Sequence, residues 1–225
     1  MPLPPESPRP AHRHVASLGG PGVAYEEYLP PAALRPWVAV FWRIRATVAF
    51  DLRILPDGCM DVIGGDIVGS FSRPQTVTLS PGGVYEGIRF HPGGFPALSG
   101  VPADELVDLR IPIRDVLPTF SSLSALAAAA PPPDPLVRAT IGARSLRKLA
   151  RESGYSERQA RRRVLAATGH GPKRLMRIAR MQRTLLGGKH GTWARTAAEH
   201  GFADEAHMAN DFRALAGATP HALLA

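Results

Sequence analysis

The last third of the chain contains the same pattern twice, and this repeat limits the available folds more than any other feature. The first copy reads SLRKLARESGYSERQARRRVLAATGHGPKRL and the second reads TWARTAAEHGFADEAHMANDFRALAGATPHAL. Gly154 aligns with Gly201 at an internal turn, where glycine can take a left-handed backbone conformation that other residues avoid. Each copy is therefore predicted to be a helix-turn-helix unit, over residues 145–169 and 192–217.

Signals for helix starts and stops surround these two turns. Ser156 followed by Gln159 has the spacing of a capping box, which begins a helix just after the first turn. A connecting helix is predicted to begin at Pro172, because proline is favoured at the first helical position, and to end at the glycine pair 187–188. We expect residues 136–225 to be entirely helical.

Positive charge is concentrated in the same part of the chain. Residues 143–225 carry sixteen Lys and Arg against six Asp and Glu, whereas the remaining residues carry eleven against thirteen. Thirteen of the basic side chains lie between Arg144 and Arg183, where Glu152 and Glu157 are the acidic residues. This distribution is typical of a surface that binds nucleic-acid phosphates. The alternative is a solvated run of arginines that reflects composition alone.

The first half of the chain follows a different period. In VAVFWRIR every second residue is apolar from Val38 to Ile44, which is typical of a half-buried strand. Similar short stretches are separated by PDG, SRP, SPGG and HPGG, whose glycines and prolines favour turns. Residues 23–126 are therefore predicted to form a mostly β module, either cupin-like or a small barrel.

Two further segments complete the predicted domain organisation. The sequence AAAAPPPDP at residues 127–135 is predicted to be a linker, because its prolines cannot continue a helix. Residues 1–22 are predicted to be a disordered tail, since they are rich in proline and poor in apolar residues. We thus expect an α+β chain of two domains, with the β module first and an all-α tandem helix-turn-helix domain over 136–225.

Composition disfavours several classes of protein. No stretch approaches the roughly 18 consecutive apolar residues of a membrane span, and the first residues lack a secretory signal, so we expect a cytoplasmic, nucleoid-associated protein without a membrane partner. The single Cys59 excludes an internal disulfide and a paired-cysteine zinc site. His91 is the one histidine of the β module, whereas a metal centre needs three or four ligands. We expect no metal, no cofactor and no enzymatic activity.

The repeat, from Ser145 to Leu224, resembles the tandem DNA-binding domain of the AraC/XylS family of transcription regulators. The stretch GFADEAHMANDFRALAGATP carries most of this resemblance, through its succession of glycine, aromatic, phenylalanine-bearing helix, glycine and Thr-Pro. More loosely, ILPDGCMDVI and YEGIRFHPGGFPALSGVPADEL resemble an uncharacterised β-rich N-terminal domain found on some of these regulators. The resemblance implies a bacterial, sequence-specific DNA-binding regulator with double-stranded DNA as its partner. A small-molecule effector, RNA polymerase and a second copy of the chain are further candidate partners.

Helical spacing separates the DNA-facing side chains of each unit from the core. In the first unit Ala160 and Val164 face inward, which turns the arginines outward, and arginine can hold guanine through two hydrogen bonds. By the same reasoning asparagine can read adenine and glutamate can accept from cytosine. The candidates for contact with base edges are Arg158, Arg161, Arg162, Glu205 and Asn210. The alternative for the arginines is phosphate contact without sequence content.

A second group of residues is predicted to position the protein on the DNA backbone. The candidates for phosphate contact are Ser156, Arg163, Lys173, Arg174, Arg177 and His207. Three of them lie at the start of the connecting helix, where the helix dipole also favours an anion. Residues 189–213 hold three basic against four acidic residues, so we expect the second unit to contribute less affinity than the first.

Aromatic residues of the β module offer a candidate ligand pocket. Its predicted lining is Trp42, Tyr85, Phe90 and His91, with core packing as the alternative for each. The module would then sense a small molecule or provide dimer contacts. Two other hypotheses stay open at this point, a β-barrel enzyme or metal protein with an accessory nucleic-acid domain, and an architectural DNA binder without an effector.

Overall fold

A computed structural model describes residues 21–119 and 122–224, so most of the predicted tail lies outside the described residues. In the described part of the N-terminal domain there are eight strands. They are β1 (Val23–Tyr28), β2 (Val38–Ala46), β3 (Phe50–Ile54), β4 (Met60–Ile63), β5 (Asp66–Val68), β6 (Gln75–Leu79), β7 (Val84–Phe90) and β8 (Arg110–Pro112). Six of them make one antiparallel sheet in the order β1-β2-β7-β4-β5-β8, and β3 pairs with β6 in a second sheet.

Strand β2 lies inside the large sheet and buries side chains on both of its faces. Phe41 points to one face, where short helices and turns cover it, and Trp42 points to the other, where β3 and β6 lie. The helical cover consists of α1 (Gly94–Ser99), α2 (Ile113–Val116), α3 (Leu123–Ala129) and the single turns Ala32–Leu34 and Ala103–Glu105. The prediction of a mostly β module is confirmed.

Gly87 shows how closely the large sheet is packed around Trp42. The two residues are paired across β2 and β7, and a Cβ atom built on Gly87 would come within 2.3 Å of the Trp42 ring. Only glycine therefore leaves room for the indole to lie against the sheet.

The predicted linker is partly packed against the β domain. Helix α3 extends to Ala129, with Ala127 buried in the core, so the helix occupies the first residues of the predicted linker. Trp37 Nε1 then donates a hydrogen bond to the Pro131 carbonyl at 2.9 Å. The proline run stops this helix, as expected, but its burial against the sheet allows the helix to form up to that point.

Seven helices form the C-terminal part of the described chain, and their arrangement repeats. They are α4 (Pro135–Gly142), α5 (Leu146–Glu152), α6 (Glu157–Thr168), α7 (Pro172–Gly187), α8 (Trp193–Glu199), α9 (Glu205–Ala216) and α10 (Pro220–Leu224). Helices α5 and α8 have seven residues each, and α6 and α9 have twelve each. The pairs α5–α6 and α8–α9 are the two predicted helix-turn-helix units.

Each unit has its own buried cluster, and α7 contributes to both. Val164 lies in the first cluster with Leu175 of α7, and Phe212 lies in the second with Ile178 of α7. One residue of the β domain, Leu55, is also buried in the second cluster. The connecting helix therefore holds the units together through core contacts at successive positions along its buried face.

Candidate nucleic-acid interface

The first recognition helix, α6, is anchored at its start by the predicted capping box. The Ser156 hydroxyl accepts a hydrogen bond from the Gln159 backbone at 3.2 Å, and the Gln159 carboxamide accepts from the Ser156 backbone at 2.9 Å. These bonds satisfy donors that a helix end leaves without partners. Ser156, a predicted phosphate contact, is exposed at this end.

Beyond the cap, one face of α6 is apolar and the other is basic. Ala160 and Val164 are fully buried, whereas Arg158, Arg161 and Arg162 are exposed. Together with Leu165 and the start of α7, the three arginines line a groove of about 690 Å³. The structure thus brings the predicted base-contact residues of the first unit onto one open surface with Lys173, a predicted phosphate contact.

Arg163 differs from Arg158, Arg161 and Arg162 because it contacts residues outside α6. Its Nε atom lies 2.8 Å from Asp134, the N-cap of α4, and its guanidinium stacks 4.9 Å from the Tyr155 ring centre. The hydrogen bond to Asp134 raises the pKa of Arg163. Half of this side chain remains exposed, so a phosphate contact at Arg163 remains a prediction beside its structural role.

The basic residues at the start of α7 point in different directions. Lys173 is exposed, whereas Arg174 donates a hydrogen bond to the Ser72 carbonyl of the β domain. Arg177 pairs with Asp211 of α9 at 2.8 Å. The predicted phosphate contacts Arg174 and Arg177 are therefore both bonded within the protein.

Asp211 is a functional candidate that the sequence reading did not single out. It is buried, and its second carboxylate oxygen pairs with Arg180 at 2.5 Å. Arg180 also stacks 4.4 Å from the centre of the Phe202 ring. This cluster fixes α9 on the connecting helix. A signal was present in the sequence, because an acidic residue at an inward-facing helical position needs a cationic partner.

A second basic groove lies between the two units. It has a volume of about 500 Å³, and its lining includes Arg144, Lys173, Arg177, Arg180 and Arg183. Arg144 and Arg183 are exposed additions to the candidate interface. Burial and the neighbouring arginines lower the pKa of Arg183, which is the expected result of crowding cations around one groove. An anionic backbone would relieve this repulsion.

The second recognition helix, α9, presents a different surface. Glu205 and Asn210 are exposed as predicted, and Asn210 accepts a hydrogen bond from Arg213 at 3.2 Å. His207 accepts from the Ala203 backbone at 3.2 Å and lies 3.8 Å from Asp211. His207 is therefore partly committed to holding the turn that precedes α9.

The β domain contains a cavity of about 390 Å³ between its two sheets. Of the predicted pocket residues, Trp42 and Tyr85 line it. Phe90 points to the opposite face of the large sheet and packs 5.4 Å from Phe95, so it belongs to the core under the short helices. His91 follows that strand and does not line the cavity; burial and then Arg138 lower its pKa.

In 21–119 and 122–224, no three residues of His, Cys, Asp or Glu are grouped so that they could hold a metal ion. Within the same residues, none of the helices has the length and apolar character that a membrane crossing requires.

Two segments of the chain match models of known families. Residues 26–112 match the model of a domain of unknown function (DUF6597), and residues 149–225 match the model of a helix-turn-helix domain. Among solved structures, the chain is similar to a crystal structure of an apo ToxT variant from Vibrio cholerae. The two are 13% identical, with a TM-score of 0.40, over 90% of this chain and 96% of that chain. No curated protein matches the chain.

Proposed function

We propose that this chain, whose last third is an AraC-type helix-turn-helix domain, is a transcription regulator that binds specific DNA sequences and responds to a small molecule through its β domain. Such a regulator would act at the nucleoid. RNA polymerase and a second copy of the chain are its proposed protein partners.

The arginine surface of α6 is the observation that carries this proposal. Arg158, Arg161 and Arg162 lie within the first two turns of a recognition helix, which is the part of a helix-turn-helix unit that enters the major groove. They are exposed, and α6 contacts the β domain near its other end, through Thr168. The surface is therefore open to a duplex while the two domains are packed together.

Sequence specificity is proposed for the first unit because its cations are arginines on a fixed helix. A bidentate arginine–guanine contact contributes about 1–3 kcal/mol of discrimination against the wrong base. Lys173 lies beside these arginines, at the first turn of α7, where it is suited to a phosphate. Base reading and backbone positioning would thus be divided between two adjoining helices.

A small-molecule response is proposed because the β domain has both a cavity and direct contacts with the DNA-binding domain. Ser70 donates a hydrogen bond to the Thr168 carbonyl at 3.0 Å, and the Pro56 carbonyl accepts one from Gln182 at 2.8 Å. A change in the β domain can therefore reach the first recognition helix and the connecting helix through hydrogen-bonded contacts.

Selection of duplexes from a random-sequence pool by the purified chain tests the proposed function. We expect one enriched motif with the unaltered protein, a motif altered at one or two base pairs with Arg158→Ala, and an unchanged motif with weaker binding for Lys173→Ala. The lysine variant is the matched control, because it removes a cation from the same groove. Failure to enrich any motif, or the same motif with Arg158→Ala, would contradict the assignment.

A further inference from the structure

The cavity between the two sheets has the character of a small-molecule site. Its volume of about 390 Å³ lies in the range of about 300–1,000 Å³ that such sites occupy. Aliphatic and aromatic side chains make up most of its wall, including Trp42, Leu52, Ile54 and Phe71. An apolar wall of this kind favours an apolar occupant, because water inside it would lack hydrogen-bond partners.

One end of the cavity is polar and already carries charge. Asp61 accepts hydrogen bonds from Trp42 Nε1 at 2.7 Å and from Arg89 at 3.2 Å. Arg89 is nine-tenths buried, and its Nη1 atom lies 3.4 Å from Asp57 without a hydrogen-bond partner. Because Arg89 also lines the cavity, its guanidinium is the donor group that we assign to a ligand's acceptor. Because two carboxylates already surround this guanidinium, an uncharged acceptor fits the site better than an anion.

Residues 52–56 connect the cavity wall to the second helix-turn-helix unit. Leu52 and Ile54 line the cavity, whereas the intervening Arg53 donates a hydrogen bond to the Ala216 carbonyl at the end of α9. Leu55 is then buried in the core of the second unit. Alternate residues of a strand point to opposite faces, so one backbone segment touches both the cavity and the recognition helix.

Residues 70–72 connect the cavity wall to the first unit in the same way. Phe71 lines the cavity, whereas Ser70 donates to the Thr168 carbonyl at 3.0 Å and the Ser72 carbonyl accepts from Arg174. Asp108, which also lines the cavity, accepts a hydrogen bond from the Ser72 backbone at 2.7 Å. This part of the cavity wall is therefore hydrogen-bonded directly to α6 and α7.

We propose that this cavity binds a compact, uncharged, largely apolar molecule with one hydrogen-bond acceptor, and that its occupancy is transmitted to the two units through residues 52–56 and 70–72. This inference rests on the proposed function and names its effector site. The acceptor meets the guanidinium of Arg89, and the apolar body contacts Leu52, Ile54 and Phe71. A ligand that displaces these side chains also displaces the backbone that holds Arg53 and Ser70.

The fluorescent dye Prodan tests the site, because it is an uncharged naphthalene with a single ketone acceptor. We expect saturable binding with a blue-shifted emission, and binding about tenfold weaker for dimethylaminonaphthalene, which lacks the ketone. Val77→Trp, at the cavity wall, should abolish binding. Thr78→Trp is the matched control, since Thr78 neighbours Val77 on the same strand but does not line the cavity, and it should bind like the unaltered protein. Equal binding by both variants would overturn the site.

Hydrogen exchange with and without Prodan tests the transmission. We expect altered exchange at residues 213–217 and 168–174 as well as at the cavity wall, and unchanged exchange in α8. Arg53→Ala should keep Prodan binding, because Arg53 does not line the cavity, but lose the change at 213–217. Exchange changes confined to the cavity wall would overturn the transmission.

The Prodan-binding and hydrogen-exchange experiments use no DNA, so they test the ligand site separately from the proposed DNA-binding function. A chain that binds Prodan as described but enriches no duplex motif would refute the proposed function and leave the site standing. A chain that enriches a motif but binds Prodan equally in Val77→Trp would refute the site and leave the proposed function standing.

Discussion

The two helix-turn-helix units share one framework but present opposite surfaces. Their recognition helices have equal lengths and begin with a side-chain cap, Ser156 in the first and Asp204 in the second. Counting from these caps, Arg158 corresponds to Ala206, and Arg162 corresponds to Asn210. Buried positions and caps determine the fold of such a unit, whereas its exposed positions can change charge without altering it.

The same comparison extends to the ion pair that holds each recognition helix. Arg163 of α6 pairs with Asp134 at 2.8 Å, and the corresponding residue of α9, Asp211, pairs with Arg177 at 2.8 Å. The recognition helix contributes the cation of the pair in the first unit and the carboxylate in the second. In the first unit the pair uses one arginine of α6. Arg161 lies 3.7 Å from Glu157, and Arg158 and Arg162 are exposed. In the second unit the pair engages cations of α7. The ion pair of the second unit therefore attaches α9 to α7, whereas the exposed arginines of the first unit are those that we propose to contact DNA.

The largest expected difference is in core stability. Phe212→Ala should lower the free energy of unfolding by about 3–5 kcal/mol, because it empties a fully buried aromatic site. Val164→Ala, at the corresponding position of the first unit, removes two methyl groups and should cost about 2 kcal/mol. Urea unfolding followed by circular dichroism measures both. Equal losses of unfolding free energy would show that the two buried positions contribute equally to stability.

An exchange of residues between corresponding surface positions tests the division of DNA contact. Arg162→Asn should weaken binding to the selected duplex by about 1–3 kcal/mol, because it removes a candidate contact to a base. Asn210→Arg adds a cation to the acidic unit and should strengthen binding by less than about 1 kcal/mol. Fluorescence anisotropy at fixed salt measures both variants. A larger loss of DNA affinity from Asn210→Ala than from Arg162→Asn would mean that the second unit, and not the first, makes the main contact with the bases.

The groove between the units should make a smaller contribution, visible mainly in the salt dependence. Arg144→Ala should reduce the slope of log affinity against log salt by about 0.9, the value for one phosphate contact. Arg195 of α8 is the matched control, since it lies outside the groove and pairs with Glu199 at 2.8 Å. Arg195→Ala should leave the slope nearly unchanged. A similar reduction of the slope in both variants would mean that the positive charge of the domain acts as a whole, without a defined phosphate contact at Arg144.

The smallest expected effect is a pH dependence of the contact between the first unit and the β domain. His170 is buried there, and burial followed by the nearby Arg174 lowers its pKa, with Asp108 and Asp57 opposing the shift. Because this histidine is protonated in the unfolded chain before it is protonated in the folded one, its contribution to stability should be constant above about pH 6.5 and decrease below it.

Replacement of this histidine isolates its share of the pH dependence. His91 and His200 have pKa values lowered in the same direction, so the unaltered protein and His170→Gln should both be measured by thermal unfolding between pH 5 and 8. We expect a shallower decrease at low pH for the variant. The corresponding residue of the second unit is Ala218, which cannot titrate. Identical curves for both proteins would contradict the prediction.

The elements of the repeat could be predicted from sequence because their signals are local. The capping box at Ser156, the glycine turns at Gly154 and Gly201 and the stop after Gly187 all act within a few residues. The exposure of Arg158 and Arg162 follows from helical periodicity once Val164 is placed in the core.

The partners of several predicted site residues could not be obtained in this way. The place of Arg174 and Arg177 at the start of a helix predicts phosphate contact, but it does not reveal their bonds to Ser72 and Asp211. The aromatic character of Phe90 and Trp42 predicts a shared pocket, although their strand positions face opposite sides of the sheet. Such contacts join residues that are distant in sequence, so no local spacing encodes them.

The sequence alone determined that the chain has a β-rich part and a duplicated helical part, because hydrophobic period, caps and turns are properties of neighbouring residues. Tertiary structure decided which arginines stay exposed and which bond to other elements. It also decided where the cavity lies and how Arg53 and Ser70 connect the cavity wall to the two units. These features depend on which faces pack together, and that choice minimises the exposed apolar area and the unpaired charge of the whole chain at once.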